Sequence, residues 1–150
     1  GCVCVTCGLQ VGGALSKGSG TFKIDHPLES KKDTHYLSHS FIEGPQADLM
    51  YRGIVQLVDG SAEINVDTVS GMTEGTFISL NRCTQVFTTN ESNWDAVKGS
   101  VTGNTLTIES NAEASTACIS WMVVGERCDS HIMDATITDD DGRVIVEPEK

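Results

Sequence analysis

The chain has 150 residues, of which 39% are hydrophobic and 21% charged, as in a single globular domain with a core of its own. Acidic residues outnumber basic ones 21 to 10, giving a net charge of -11 that repels nucleic acid and anionic lipid, so neither is expected as a partner. No apolar run is long enough to span a membrane, so no membrane insertion is expected. Because the chain begins at Gly1 rather than Met, we expect it to be a piece of a longer protein.

Residues 1–20 predict a cysteine-containing strand followed by a Gly-rich connector. Alternation along such a strand puts Cys2 and Cys4 on one face and Cys7 on the other. Zinc needs four convergent ligands, so this spacing favours a strand over a metal cluster. The even number of cysteines permits disulfides within or between chains, with connectivity left open, and the candidates are Cys2, Cys4, Cys7, Cys83, Cys118 and Cys128. Cys118 and Cys128 also suit buried, unpaired positions.

Residues 21–150 predict one β-sandwich domain, and its first half begins with a strand at Thr21–Ile24 that Pro27 ends. A polar loop leads to a second strand, Tyr36–Glu43, which stops at Gly44-Pro45. Two alternating runs then flank Asp59-Gly60, which is a strong turn signal. We therefore predict a hairpin that pairs residues 48–58 with residues 61–66.

The second half begins with an ambiguous segment, residues 71–80, where a helical turn capped by Thr73 places Phe77 and Leu80 on one side. Residues 83–88 predict a strand. Residues 97–101 and 105–109 predict a second hairpin, and residues 135–138 and 143–146 a third. Between these hairpins, Thr116–Glu126 is the most apolar strand and predicts a central position with Trp121 in the core.

Short strands with frequent turn signals run through the whole chain, and no helix-period run of useful length occurs. We therefore predict an all-β fold, an antiparallel β-sandwich or jelly-roll-like domain with at most one short helical turn.

The candidate catalytic patterns favour a non-enzymatic protein. His35, His39 and Glu43 are spaced by four, which on a strand separates consecutive members by about 13 Å and prevents a shared ion. No nucleophile motif is present, and nothing singles out a carboxylate pair for a glycan-processing hydrolase, which is a remote alternative. Asp139-Asp140-Asp141-Gly142 partly imitates a calcium loop, but Arg143 occupies a ligand position. We predict no cofactor, with calcium as a minor alternative.

The loop around Trp94 is the best candidate for a recognition surface. Aromatic residues make up only 5% of the chain, and this one lies among polar residues that can bond sugar hydroxyls. The candidate ligand-binding residues are Asn90, Ser92, Asn93, Trp94 and Asp95. The alternative, which the sequence slightly favours, is that Trp94 folds back and packs under its own loop.

An ordered set of motifs resembles the β-rich distal domain of phage and large-virus tail-fibre proteins and of related cell-surface proteins. The motifs are Phe22-Lys23-Ile24-Asp25-His26-Pro27, then His39 with Glu43-Gly44-Pro45, then Tyr51-Arg52-Gly53. Residues 121–127 and 145–148 also look like that group, so the likeness runs from about Gly18 to the C-terminus.

The resemblance implies an extracellular or virion-surface module, a homotrimer that serves attachment to a cell-surface glycan or receptor. The alternative is a purely architectural fibre or coat module cross-linked by disulfides. The residues implied to shape or clamp the subunit are His26, Pro27, His39, Glu43, Pro45, Tyr51 and Arg52. Arg52 and Arg127 are the expected ion-pair partners of nearby carboxylates.

Overall fold

The computed structural model describes residues 4–6, 8–9, 12, 21–40, 42, 44–135 and 137–149. Within these residues, eight strands form three antiparallel sheets, which confirms the predicted all-β class. The strands are β1 (Thr21–Asp25), β2 (Tyr36–Ser40), β3 (Asp48–Gln56), β4 (Ser61–Asn65), β5 (Asn81–Asn90), β6 (Val97–Thr102), β7 (Thr105–Ser110) and β8 (Cys118–Arg127). The sheet orders are β1-β2, β3-β8-β5 and β4-β7-β6.

Three short helices occur in the described part of the chain, so the prediction of at most one helical turn is wrong. They are α1 (Val66–Val69), α2 (Thr76–Leu80) and α3 (Ser130–Met133). Side-chain caps explain α1 and α3, because Asn65 accepts from Thr68 N–H at 2.9 Å and Asp129 accepts from Ile132 N–H at 3.3 Å. Such single turns depend on a cap rather than on a helical apolar period.

Helix α2 confirms that Phe77 and Leu80 share one side, since both are buried. Its cap is not Thr73. The residue before the helix is Gly75, at a φ of 87° that suits glycine. The carboxylate of Asp67 accepts from the backbone N–H of Phe77 at 2.7 Å and from that of Gly75 at 2.8 Å. The capping group therefore comes from a neighbouring helix.

The turn at Asp59-Gly60 forms, but the predicted hairpin around it does not. Val58 and Ser61 exchange backbone hydrogen bonds of 3.0 and 3.1 Å across two residues of positive φ. Beyond this bridge, β3 pairs with β8 and β4 pairs with β7. The two strands separate because β3 belongs to one sheet of the sandwich and β4 belongs to the other. The turn therefore connects the two sheets and does not close a hairpin.

The second predicted hairpin is confirmed as β6 and β7, with Thr102 paired to Thr105 around Gly103. The third reduces to a single bridge between Thr138 and Val144. There the side chain of Asp139 closes the loop, accepting from the backbone N–H groups of Asp141 and Arg143. Cys4, Val5 and Thr6 lie in no strand, while Cys2 and Cys7 lie outside the described residues.

The core lies between the two three-stranded sheets. Its fully buried hydrophobic side chains are Leu57, Val66, Phe77, Leu80, Leu106, Ile108, Ile119 and Val123. Burying each such side chain contributes roughly 1.5–3 kcal/mol. The layers approach closely at Gly99, where an added Cβ lies 2.5 Å from a methyl carbon of Val86. The central position of β8 and the burial of Trp121, which is 5% exposed, are confirmed.

We expect Gly53→Ala to destabilise the domain. Gly53 pairs with Trp121 across β3 and β8, and an added Cβ lies 2.6 Å from the indole Cζ2, in a core where the ring cannot swing away. Overpacking of this kind costs about 1–3 kcal/mol in free energy of unfolding, measured by urea denaturation. Gly44→Ala is the control, because its Cβ meets nothing closer than 3.8 Å. Equal stability of the two variants contradicts this packing.

Candidate functional site

The loop of residues 90–95 is built around the side chain of Asn90 at the end of β5. Its Oδ1 accepts from the backbone N–H of Ser92 at 3.0 Å and of Asn93 at 3.1 Å. Its Nδ2 donates to Asn93 Oδ1 at 2.6 Å and to the carbonyl of Asp95 at 3.1 Å. One amide therefore satisfies both sides of the loop, which gives a short polar segment a defined shape.

The same loop is bonded to the central strand β8. Ser92 Oγ accepts from Cys118 N–H at 2.8 Å, and Glu91 N–H donates to the Cys118 carbonyl at 2.9 Å. Glu91 also bonds the hydroxyl of Ser120 through its carboxylate. Hydrogen bonds from Glu91 and Ser92 to β8 therefore fix the loop to the sheet.

Trp94 at the tip of the loop is fully exposed, so the expectation that it packs under its own loop is wrong. An exposed aromatic side chain on a fixed loop is a surface on which the apolar face of a ligand can stack.

The predicted ligand-binding residues divide into two groups. Asn90 and Ser92 hold the loop together, and their polar atoms are already bonded. The indole of Trp94, the Nδ2 of Asn93 and the carboxylate of Asp95 have no hydrogen-bond partner among the described residues and can meet a ligand. The sequence grouped all five because Asn and Ser serve equally well as turn formers and as ligand donors.

The motif residues meet in an aromatic seam that joins the β1-β2 sheet to the core. Phe22 stacks against His39 with ring centroids 5.5 Å apart, His39 meets Tyr51 at 6.3 Å, and Tyr51 meets Phe77 at 5.0 Å. Tyr51 also accepts from Asn81 Nδ2 at 3.0 Å, and burial raises the pKa of Tyr51 to about 12. Three motif residues, Phe22, His39 and Tyr51, therefore come together in a structural contact.

Arg127 completes the seam. Its guanidinium lies 3.9 Å from the ring centroid of Phe22 and forms a two-pronged ion pair with Asp129, at 2.8 and 3.0 Å. Arg52 and Pro45 are exposed on the surface, and Arg52, which borders a shallow hollow together with His39 and Tyr51, forms no ion pair within the described ranges. Glu43 lies outside those ranges.

His26 lies at the end of β1, where its Nδ1 accepts from Leu28 N–H at 3.2 Å and fixes the turn at Pro27. Beside it is a cleft of about 440 Å³, shared with Ser130 and His131 of α3. No hydrogen bond joins a serine or cysteine to a histidine in the part of the chain that the structure describes, and no three His, Cys, Asp or Glu side chains there are placed to hold a metal. The cleft therefore shows no activated nucleophile.

The four described cysteines, Cys4, Cys83, Cys118 and Cys128, carry free thiols. Cys4 and Cys83 are exposed, and Cys83 has a φ of 51° at an irregularity in β5. Burial raises the pKa of the Cys128 thiol, which makes it a poor nucleophile. The predicted disulfides are therefore not formed among these four residues.

A shallow trough on the outer face of the β3-β8-β5 sheet was missed by the sequence analysis. It has a volume of about 580 Å³ and is lined by Arg52, Gly53, Ile54, Phe87, Thr89, Ser120, Trp121 and Met122. The alternation of residues along β5 and β8 could have predicted this trough, because Phe87 and Met122 occupy positions whose side chains lie on the face away from the core. Ser120 in the trough is the residue that bonds Glu91 of the Trp94 loop.

A scan against models of protein families finds no match for the chain, and a search of curated proteins finds no significant match. The resemblance to tail-fibre domains therefore stays a prediction. No described helix is long and apolar enough to cross a membrane.

We expect the stability of the domain to fall on acidification below pH 6.5. Burial, together with the Arg127 charge, lowers the pKa of His39, and burial with the Lys31 charge lowers that of His26. Below pH 6.5 the unfolded chain therefore binds more protons at these two histidines than the folded chain does. The contribution of the two histidines to the free energy of unfolding is fully present above pH 6.5 and decreases below it, by no more than about 1.4 kcal/mol per pH unit for each histidine.

Urea denaturation between pH 7.5 and 5 measures this dependence. His39→Phe keeps an aromatic ring in the seam and removes one titrating group, so its stability should depend less steeply on pH than that of the parent. His131→Gln, which removes an exposed imidazole, is the matched control. An unchanged slope in His39→Phe contradicts the role given to the seam.

Proposed function

We propose that this domain is a non-enzymatic attachment module of a fibrous viral or cell-surface protein, and that it binds a cell-surface glycan through the Trp94 loop. The observation that carries the proposal is a fully exposed indole on a loop held by eight hydrogen bonds among the described residues, three of them to β8. A loop whose shape is fixed before binding loses little conformational entropy when the ligand arrives.

The chemistry of the loop fits a sugar better than a charged or purely apolar ligand. The indole offers a flat apolar surface for the C–H face of a pyranose ring. Asn93 supplies an amide donor and Asp95 an acceptor beside it, which suit hydroxyl groups. Proteins orient small ligands by a few such polar groups around an apolar contact.

The proposed module acts as a homotrimer at the virion or cell surface. Two features support self-association. Strand β3 is an edge strand of its sheet, and Met50 on this strand is an exposed apolar side chain. Open edges with exposed apolar side chains are commonly covered by another chain.

The second candidate function is a purely architectural fibre module cross-linked by cysteines. It is favoured by the exposed thiols of Cys4 and Cys83, which are accessible to a second chain. The two candidates differ in what they bind, because an architectural module has no use for an exposed indole on a fixed loop.

We expect Trp94→Ala to weaken glycan binding at least tenfold while leaving the fold intact, because the side chain makes no buried contact. The measurement is a glycan array followed by titration of the strongest saccharide. A ligand-induced change in tryptophan fluorescence that is lost in Trp94→Ala reports on Trp94, because Trp121 is still present in that variant. Tyr36→Ala, which removes another exposed aromatic ring, is the control. Equal binding by both variants excludes the loop as the site.

We expect light scattering to give three times the chain mass, both with and without reductant. Persistence in reductant is expected because the association is proposed to depend on surface contacts rather than disulfides. A trimer that dissociates in reductant and runs as a cross-linked species on a non-reducing gel favours the architectural candidate. A monomer in both conditions removes the proposed assembly.

A further inference from the structure

The outer trough of the β3-β8-β5 sheet combines an apolar floor with the positive charge of Arg52. Phe87 is 50% exposed and Ile54 67% exposed, and Met122 lies between their strands on β8. Arg52 is the cross-strand neighbour of Met122, which in turn pairs with Phe87, so the guanidinium-bearing residue and the aromatic ring flank one central side chain.

Arg52 differs from the other arginines of the sheet region. Arg82 is paired with Glu126 at 2.9 Å, and Arg127 with Asp129 at 2.8 Å. Arg52 meets no carboxylate among the described residues, although acidic residues outnumber basic ones 21 to 10 in the chain. An unpaired guanidinium in an otherwise acidic protein is the natural partner for an anionic group on a ligand.

The remaining polar groups of the trough are hydroxyls. Thr89 and Ser120 face each other across β5 and β8, next to the row of Arg52, Met122 and Phe87. Hydroxyls next to an aromatic ring suit the hydroxyl-bearing and apolar faces of a sugar. The volume of about 580 Å³ has the size of a small-ligand site.

We propose that this trough binds a carboxylated saccharide, with Arg52 on the carboxylate, Phe87 against the ring, Thr89 on one hydroxyl group, and Ser120, whose proton is donated to Glu91, accepting from another. The inference rests on the proposed glycan-binding function and adds the class of sugar. The Glu91–Ser120 hydrogen bond joins the trough to the Trp94 loop.

The test is a titration of the full chain with oligosaccharides that end in a uronic or sialic acid and with their neutral counterparts. We expect Arg52→Gln to bind the carboxylated sugars about tenfold more weakly and the neutral ones unchanged. Arg143→Gln is the matched control, since Arg143 is also exposed and without an ion pair in the described residues. Amide shifts of Thr89, Ser120 and Met122 locate the bound sugar by NMR.

Equal affinity of the parent chain for carboxylated and neutral sugars, or an Arg52→Gln variant that binds both as tightly as the parent, overturns the inference. It is also overturned if Phe87→Ala and Arg52→Gln lower the native mass and leave sugar binding unchanged, because the trough then faces a second copy. The proposed function fails separately: it fails when Trp94→Ala binds every sugar like the parent, whatever Arg52 does. Binding of no saccharide at all contradicts both.

Discussion

Strand β8 is the constraint on which the rest of the structure depends. It pairs with β3 on one side and β5 on the other, so its backbone groups are satisfied along most of its ten residues. Its alternate residues Ile119, Trp121 and Val123 face the core and are buried. Because a one-residue slip would exchange the two faces of the strand, the register of all three strands follows from these side chains. The positions of Tyr51 in the seam, of the loop after β5 and of the trough follow from that register.

Elsewhere in the domain, the buried carboxylate of Asp67 has a comparable organising role. Asp67 is fully buried, and its carboxylate accepts from Phe77 N–H, Gly75 N–H and the amide of Asn104. A buried carboxylate is tolerated only when its lone pairs are occupied in this way. These bonds hold α1, α2 and the β6-β7 turn together. The Asn104 amide also bonds Glu74, and this bond lowers the pKa of that carboxyl.

The sequence predicts local structure well and pairing partners poorly, and Asp59-Gly60 shows why. Its two residues have the positive φ that the turn requires, and that preference is intrinsic to Asp-Gly. Whether the flanking strands then pair depends on which distant strands compete for their edges. Strand β3 pairs with residues 118–127 and strand β4 with residues 105–110, and no residue near 59 indicates which partners these strands will have.

The candidate site divides in the same way. The Asn90 loop was predictable because Asn and Ser form turns through local bonds, whereas no local pattern shows whether Trp94 points outward or packs under the loop. The trough needs the outer residues of three strands distant in sequence, so only the assembled sheet reveals it. Asp67 was missed for the same reason, since its partners lie 8, 10 and 37 residues away.

The seam and the outer face of the β3-β8-β5 sheet differ in how many of their polar side chains are paired, and this difference supports the binding sites that we propose. In the seam, Arg127 is paired with Asp129 and Tyr51 with Asn81, so little remains to attract a ligand. Arg52 on the outer face, and Trp94 and Asn93 on the loop after β5, lack such partners among the described residues. Side chains that are unpaired but held on a rigid strand or a fixed loop can bind without reorganisation, because the cost of ordering them was met during folding. We therefore interpret the motif that resembles tail-fibre domains as serving mainly to fold the domain, and the binding residues that we propose lie outside most of it.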